Sequence, residues 1–285
     1  MPRGSGKQRL SAFVETTMLL SLPPEILDII VDHLHDEPTA LKACCLVSKS
    51  WVPRTQRHLF DSVEFLSKSG PTIESWMETF PDPSNSPAHY TRSLRISDIQ
   101  VTAVAIPDVL AQIHSFNRIV ALAVGIENGP ISFTQLRGLS PNLKHLHLFY
   151  TFAPPLEVLD FVCSFPLLED LLLQSIWFRA IENADKRNDP LTTPRFTGSL
   201  LLSRSSRVIT RKLLDLPGGL RFSKIRVRCP IGECNLTQEL VSACSDTLES
   251  LCVEVYRGAS PTSSVVDQYL IAYCRTVRAW EAAIT

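Results

Sequence analysis

Leu143-Lys144-His145-Leu146-His147-Leu148 and, one unit later, Leu168-Glu169-Asp170-Leu171-Leu172-Leu173 share one pattern: an apolar residue, two variable positions, Leu, one variable position, Leu. The last two apolar positions are two residues apart, so they point to one face of a short strand. The pattern recurs at Thr91-Leu94-Ile96, Ile119-Leu122-Val124, Thr197-Leu200-Leu202, Phe222-Ile225-Val227 and Leu248-Leu251-Val253. Its central residues stand at 94, 122, 146, 171, 200, 225 and 251, which gives successive spacings of 28, 24, 25, 29, 25 and 26. Helical patterns lie between the motifs, at Ile106 to Phe116, Leu156 to Phe165, Leu236 to Cys244 and Val265 to Cys274. A lone strand and helix cannot bury their own apolar faces, whereas stacked units bury a continuous core. Each crossover to a parallel neighbour is right-handed. The expectation over residues 91–285 is an α/β repeat domain: an irregular, curved solenoid with a parallel sheet on its concave face.

Upstream, residues 22–60 read LPPEILDIIVDHLHDEPTALKACCLVSKSWVPRTQRHLF. Pro23 and Pro24 suit a first helical turn, where a missing N–H costs nothing. Glu25 then meets the positive helix end. Ile26, Leu27, Ile30, Val31 and Leu34 recur at helical spacing as one apolar face. His35-Asp36-Glu37-Pro38 ends that helix, and Pro38-Thr39 opens a second, apolar on most of its surface through Ala40, Leu41, Cys44, Cys45, Val47 and Trp51. Pro53 starts a third short segment that closes at Leu59 and Phe60. About 39 residues make a marginal core by themselves, so the segment reads as a docking module attached to a larger domain.

The Leu22-Pro23-x-Glu25-Ile26-Leu27 opening, the Ile30-x-x-x-Leu34 continuation and the Val47-Ser48-Lys49-Ser50-Trp51 block together resemble the F-box family, and Leu41-Lys42-Ala43-Cys44 is similar to the form found in mushroom-forming fungi. Phe60 stands where many members carry Trp. The resemblance implies a three-helix module that inserts into a Skp-type adaptor, and through it a cullin, in a cullin-RING ubiquitin ligase. Its implied adaptor-binding residues are Leu22, Pro23, Ile26, Leu27, Ile30, Leu41, Val47 and Trp51. Residues 90–256 in turn resemble the leucine-rich-repeat half of F-box proteins. One departure is plain. The family places Asn or Cys three residues after the last strand position, where this chain has Ile99, Glu127, Thr151, Ile176, Ser205, Pro230 and Tyr256. Without that side-chain ladder the repeats are expected to be uneven.

The chain divides accordingly into a disordered basic leader at 1–20, the helical module at 21–65, a linker with a short helix at 66–90, and the repeats. In the linker, Gly70-Pro71 breaks the chain and Thr72 to Phe80 reads as a helix that caps the first strand. Glu182 to Pro194 is a long polar loop, read as a solvated insertion.

Composition narrows the function. Lys and Arg total 28 against 29 acidic residues, so there is no electrostatic footprint for nucleic acid or a membrane surface. No apolar run approaches the ~18 residues of a membrane span. The apolar stretch after Arg3, Lys7 and Arg9 is interrupted at Glu15-Thr16-Thr17, which argues against a secretory signal. Eight cysteines occur without a Cys-x-x-Cys pair; Cys229, Cys234, Cys244 and Cys252 are read as structural thiols rather than a zinc site, in a reducing cytoplasmic or nuclear setting. No phosphate loop, nucleophile elbow or metalloprotease motif is present. His145 and His147 share one strand face but lack a third ligand. No catalytic, cofactor or metal residue is therefore assigned. The expected function is that of a non-catalytic substrate receptor, with an unknown target protein held by the repeats. The alternative is a repeat scaffold whose N-terminal helices merely cap it, distinguished by whether Ile26, Leu27 and Ile30 face water. Arg204, Arg207, Arg211 and Lys212 form a small basic cluster read as a solvated helix face.

Overall fold

The computed structural model describes residues 23–66, 70–97, 105–126, 131–177, 194–204, 207–230, 234–256 and 269–274. The chain forms two compact units, Met1–Leu59 and Phe60–Thr285. The leader, Leu22 and residues 182–193 of the polar loop lie outside the described residues.

The first unit contains three helices, α1 (Pro24–His33), α2 (Pro38–Val47) and α3 (Val52–Leu59). Proline occupies the first turn of both α1 and α2, where its fixed φ favours helix entry. Val31, Leu41, Cys44 and Thr55 are buried between them. A polar clasp joins α1 to α3: Asp32 accepts from the Arg54 guanidinium, with Nε to Oδ1 at 2.7 Å, and pairs with His58 Nε2 at 2.7 Å. The Arg54 and His58 hydrogen bonds hold the Asp32 carboxyl down at about 2.

The second unit is α/β. Its strands are β1 (Ser62–Leu66), β2 (Ser93–Ser97), β3 (Ala121–Gly125), β4 (His145–Phe152), β5 (Asp170–Trp177), β6 (Ser199–Ser203), β7 (Lys224–Pro230), β8 (Ser250–Tyr256) and β9 (Tyr269–Cys274). They form one sheet whose spatial order follows the chain, parallel from β1 to β8. The helices α4 (Ile73–Thr79), α5 (Ile106–His114), α6 (Pro155–Cys163), α7 (Arg207–Leu214) and α8 (Cys234–Ala243) supply the connections, with a 3-10 turn at Phe133–Leu136. Neighbouring connections pack on each other, α4 on α5, α6 on α7 and α7 on α8.

The motif pairs fall into register. Leu94, Leu122 and Leu146 are aligned across β2 to β4, and Leu171, Leu200, Ile225 and Leu251 across β5 to β8. Both apolar positions of every motif are buried. Each fully buried aliphatic side chain contributes about 1.5–3 kcal/mol of transfer free energy, so these rows dominate the unit's stability.

A backbone ladder runs along the strand entries. The carbonyl of Asp61 accepts from Arg92 N and Ser93 N, that of Arg92 from Val120 N and Ala121 N, and that of Val120 from Lys144 N and His145 N. The carbonyl of Lys144 accepts from Glu169 N and Asp170 N, that of Gly198 from Ser223 N and Lys224 N, and that of Ser223 from Glu249 N and Ser250 N. Main-chain bonds thus tie successive units together at their strand entries. Between β5 and β6 the pattern changes. The Glu169 carbonyl receives Gly198 N at 3.2 Å, and Ser199 N turns to the Asp170 carboxylate instead.

Expectations at residues 60–65 and 265–274 are corrected. Residues 62–65, assigned to the helical module, are strand: Val63 and Phe65 repeat the buried alternation and pair with Leu94 and Ile96. Phe60 goes with them, packing edge-on against Trp76 and Phe80 at 5.7 and 6.0 Å between centroids. The short helix expected within 66–90 is α4, and its Ile73 and Trp76 belong to the sheet's core. The helix expected over Val265 to Cys274 is instead, over Tyr269–Cys274, the antiparallel strand β9 on the edge of β8. A short apolar run such as Tyr-Leu-Ile-Ala-Tyr-Cys does not distinguish helix from strand by periodicity, and the open edge of β8 offered a hydrogen-bonding partner.

Candidate functional site

Two surfaces carry unsatisfied chemistry. The first lies on the helical unit. Ile26, Ile29 and Ile30 on α1 are 43%, 52% and 38% exposed, and Leu46 and Val47 at the end of α2 are 89% and 68% exposed. The reason is geometric. A ten-residue helix that is apolar over most of its circumference can bury only one stripe. On α1 that stripe is taken by Val31, with Leu27 and Leu34 half-buried. On α2 it is taken by Leu41 and Cys44.

The sequence-derived anchors therefore divide. Ile26, Ile30 and Val47 face solvent, Pro23 is exposed at the N-cap of α1, and Leu27 and Trp51 are half-buried. Leu41 is corrected: at 1% exposure it belongs to the unit's own core and presents nothing to a partner. Leu22 lies outside the described residues. Ile29 and Leu46, which the pattern reading passed over, are more exposed than Ile26 and Ile30. Their only sequence signal was apolar identity outside the principal stripe.

The second surface is the face of the sheet opposite the buried motif residues. It lines a cavity of about 470 Å³. Strand register arranges its residues in transverse rows. One row reads Ser93, Ala121, His145, Asp170, Ser199, Lys224, Ser250 across β2 to β8, and the next reads Arg95, Ala123, His147, Leu172, Leu201, Arg226, Cys252. Small residues on β2 and β3 leave the space; Leu172 and Leu201 give it an apolar floor.

Most charges on this face are already matched. His145 Nδ1 lies 2.6 Å from Asp170 Oδ2, and Asp170 Oδ1 accepts from Ser199 N and from Ser199 Oγ at 2.6 Å. Burial pushes the Asp170 carboxyl up, but the Ser199 and His145 bonds outweigh it and leave it below its ordinary value. The order His, Asp, Ser leaves the hydroxyl facing a carboxylate with no imidazole beside it, so this trio holds three strands in register and does not make an activated nucleophile. Burial lowers the proton affinity of His147, whose Nε2 has no hydrogen-bond partner. Arg95 lies over the Phe149 ring, 5.0 Å from its centroid. That ring covers Gly125, where an added Cβ would approach Phe149 Cε2 to 2.5 Å. Arg228 reaches Glu254 at 4.0 Å. Lys224 and Arg226 are exposed and have no acidic partner among the described residues.

Of the basic cluster noted in the sequence, Arg207, Arg211 and Lys212 lie on α7. Arg211 forms a two-pronged bond with Glu239 on α8, and Arg204 lies at the end of β6 with a left-handed φ of 52°. Among the described residues no three His, Cys, Asp or Glu side chains are grouped to hold a metal ion. Cys229, Cys244 and Cys252 are buried and in no disulfide, and Cys229 Sγ lies 3.6 Å from Thr237 Oγ1. No described helix is long and apolar enough to cross a membrane.

Fold and surfaces together define an α/β protein with a parallel sheet ordered as its sequence and a separate helical unit. No protein-family model matches the chain, and no curated protein is found to be similar to it.

Proposed function

We propose that this chain is the substrate-receptor subunit of an SCF-type cullin-RING ubiquitin ligase. In this reading α1 to α3 are an F-box-like module that docks a Skp-type adaptor and through it a cullin. The second unit is an irregular leucine-rich-repeat solenoid, with the parallel sheet on its concave face, that holds a target protein. Ubiquitin transfer belongs to other subunits. The setting is cytoplasmic or nuclear, in keeping with the free thiols.

The observation that carries the reading is the exposed apolar set Ile26, Ile29, Ile30, Leu46 and Val47, on helices in the order and spacing of the F-box resemblance. Large apolar side chains left in water at adjacent helical positions mark an interaction surface. Binding energy at such surfaces concentrates in a few anchors. For the repeats, the support is a motif that aligns strand on strand without a slip from β2 to β8.

The test is co-purification of the full chain with a Skp-type adaptor, read as a one-to-one complex on a sizing column. Ile30→Glu with Val47→Glu is the informative variant, because both residues are exposed and the fold does not depend on them. Loss of the complex with an unchanged circular dichroism spectrum supports docking. A complex that survives both charges, or none with the wild type, leaves the alternative of a non-catalytic repeat scaffold with a helical cap.

A further inference from the structure

We infer that the open sheet face binds an extended segment of a partner protein carrying an apolar residue and, two positions on, an Asp or Glu. The apolar side chain sits on Leu172 and Leu201, and the carboxylate meets Lys224 and Arg226. This rests on the reading that the repeat unit is the target-binding half, and it specifies what that target offers.

The argument begins with charge. The groups facing this surface are Glu64, Arg95, His145, His147, Asp170, Lys224, Arg226, Arg228 and Glu254. Asp170 is engaged by His145 and Ser199, Arg228 by Glu254, and Arg95 by the Phe149 ring, with Glu64 beside it in register. Among the described residues Lys224 and Arg226 are left over, two residues apart on one strand and exposed. An acidic group is what they lack.

Geometry supplies the spacing. Leu172, Leu201 and Arg226 are register neighbours on β5, β6 and β7. Strands lie about 4.8 Å apart, so a side chain seated between the two leucines is about 7 Å across the sheet from the β7 backbone at Arg226, with Lys224 in the adjoining row. In an extended peptide, residues i and i+2 point to the same side about 6.6–6.8 Å apart. The two distances agree, which selects the sequence apolar-x-acidic. The apolar floor argues against nucleic acid, whose backbone would lay phosphates over Leu172 and Leu201, and the near-neutral chain adds no wider basic field.

The experiment titrates the full-length chain, with no adaptor present, against fluorescein-labelled peptides carrying three tandem Leu-Ser-Glu units, and matched peptides with Leu-Ser-Lys or Ala-Ser-Glu, read by anisotropy. Wild type is expected to bind the Leu-Ser-Glu peptide about fivefold or more tighter than either control, the size of one or two rim charge pairs. Lys224→Glu with Arg226→Glu should reverse the preference toward Leu-Ser-Lys, and Leu201→Ser should weaken both without reversal. Charge reversal is a readout that partial unfolding does not produce. Equal affinity for the three peptides, an unreversed preference in the charge-swap variant, or tighter binding of a single-stranded DNA oligomer overturns the inference. Because the adaptor is absent, failure here leaves the docking complex intact, and failure of docking leaves the peptide preference readable.

Discussion

Gly198 and Asp170 test whether the irregular step between β5 and β6 is held by one carboxylate. A Cβ at Gly198 would overlap Asp170 Oδ1 and come within 3.0 Å of Asp170 Cγ. The φ of Gly198 is not left-handed, so Gly198→Ala carries no intrinsic backbone strain; it acts chiefly by displacing that side chain, beside a tighter contact of 3.2 Å to the Glu169 backbone carbon. Displacement breaks the bonds from Ser199 N and Ser199 Oγ and leaves the Ser199 amide without the ladder carbonyl its counterparts have. A hydrogen bond to a charged group contributes about 1.5–3 kcal/mol. The Asp170 side chain is 34% exposed, so solvent discounts the pair to about 2 kcal/mol in total. Gly198→Ala and Asp170→Ala should then each cost about 2 kcal/mol, and the double variant should cost little more than either single, a coupling of about 2 kcal/mol. Urea denaturation of the full chain, followed by far-ultraviolet circular dichroism, gives the four free energies. The folded Asp170 carboxyl lies below its ordinary 3.8, so its contribution is present above that pH and fades as pH falls below it. Both single variants should lose that component. Additive costs within about 0.5 kcal/mol would show that Gly198 is needed for something other than room for the carboxylate.

Three further expectations follow. Asp32→Asn should lower hydrogen-exchange protection of α1 and α3 by about fivefold at neutral pH, since the shift to about 2, discounted for a side chain 42% exposed, is worth about 1 kcal/mol; in wild type that increment holds above pH 3.8 and disappears as pH falls through about 2, and unchanged protection would mean the clasp is idle. Gly125→Val should cost about 1–3 kcal/mol by overpacking against Phe149, with Phe149→Ala restoring most of it, and no rescue would show that the ring is not the obstacle. Burial pushes the Cys163 thiol up to about 12, so mapped alkylation of native protein at pH 8 should leave Cys163 unmodified while the half-buried Cys45 reacts; labelling of Cys163 at the rate seen in denaturant would contradict its placement.

What the sequence disclosed of the fold is what periodicity can carry. Two apolar positions per strand, recurring at the stated spacings, located all the strands from β2 to β8 and their shared buried face. Val63 and Phe65 escaped although Phe60-x-x-Val63-x-Phe65 fits the motif, because Phe60 reads as the close of the helical module and the step from Val63 to Leu94, 31 residues, falls outside the 24–29 series. On the helical unit, identity distinguished apolar from polar residues but not inward from outward ones. Leu41 and Val47 look alike in sequence, yet one is buried and the other 68% exposed, because α3 covers one side of α2 alone. The Asp170 trio left no local trace, since its members come from three repeats, 25 and 29 residues apart. The longer interval is the longest spacing in the series, the place where a regular ladder is most easily broken.

The two faces of each strand are under different constraints, and this explains why function was harder to read than architecture. On the buried face every unit meets the same physical demand, to fill a slot between neighbouring strands and the covering helices, so Leu, Ile and Val recur and the pattern is visible. On the open face no such demand repeats. There the row from Ser93 to Ser250 and the row from Arg95 to Cys252 change character at almost every strand. Gly125 on β3 makes room for Phe149, and Asp170 restores a ladder bond. Among the described residues Lys224 and Arg226 have no such internal duty. A side chain that neither packs nor pairs within its own molecule is the one whose presence must be explained from outside it, and on this sheet those residues stand together on one strand.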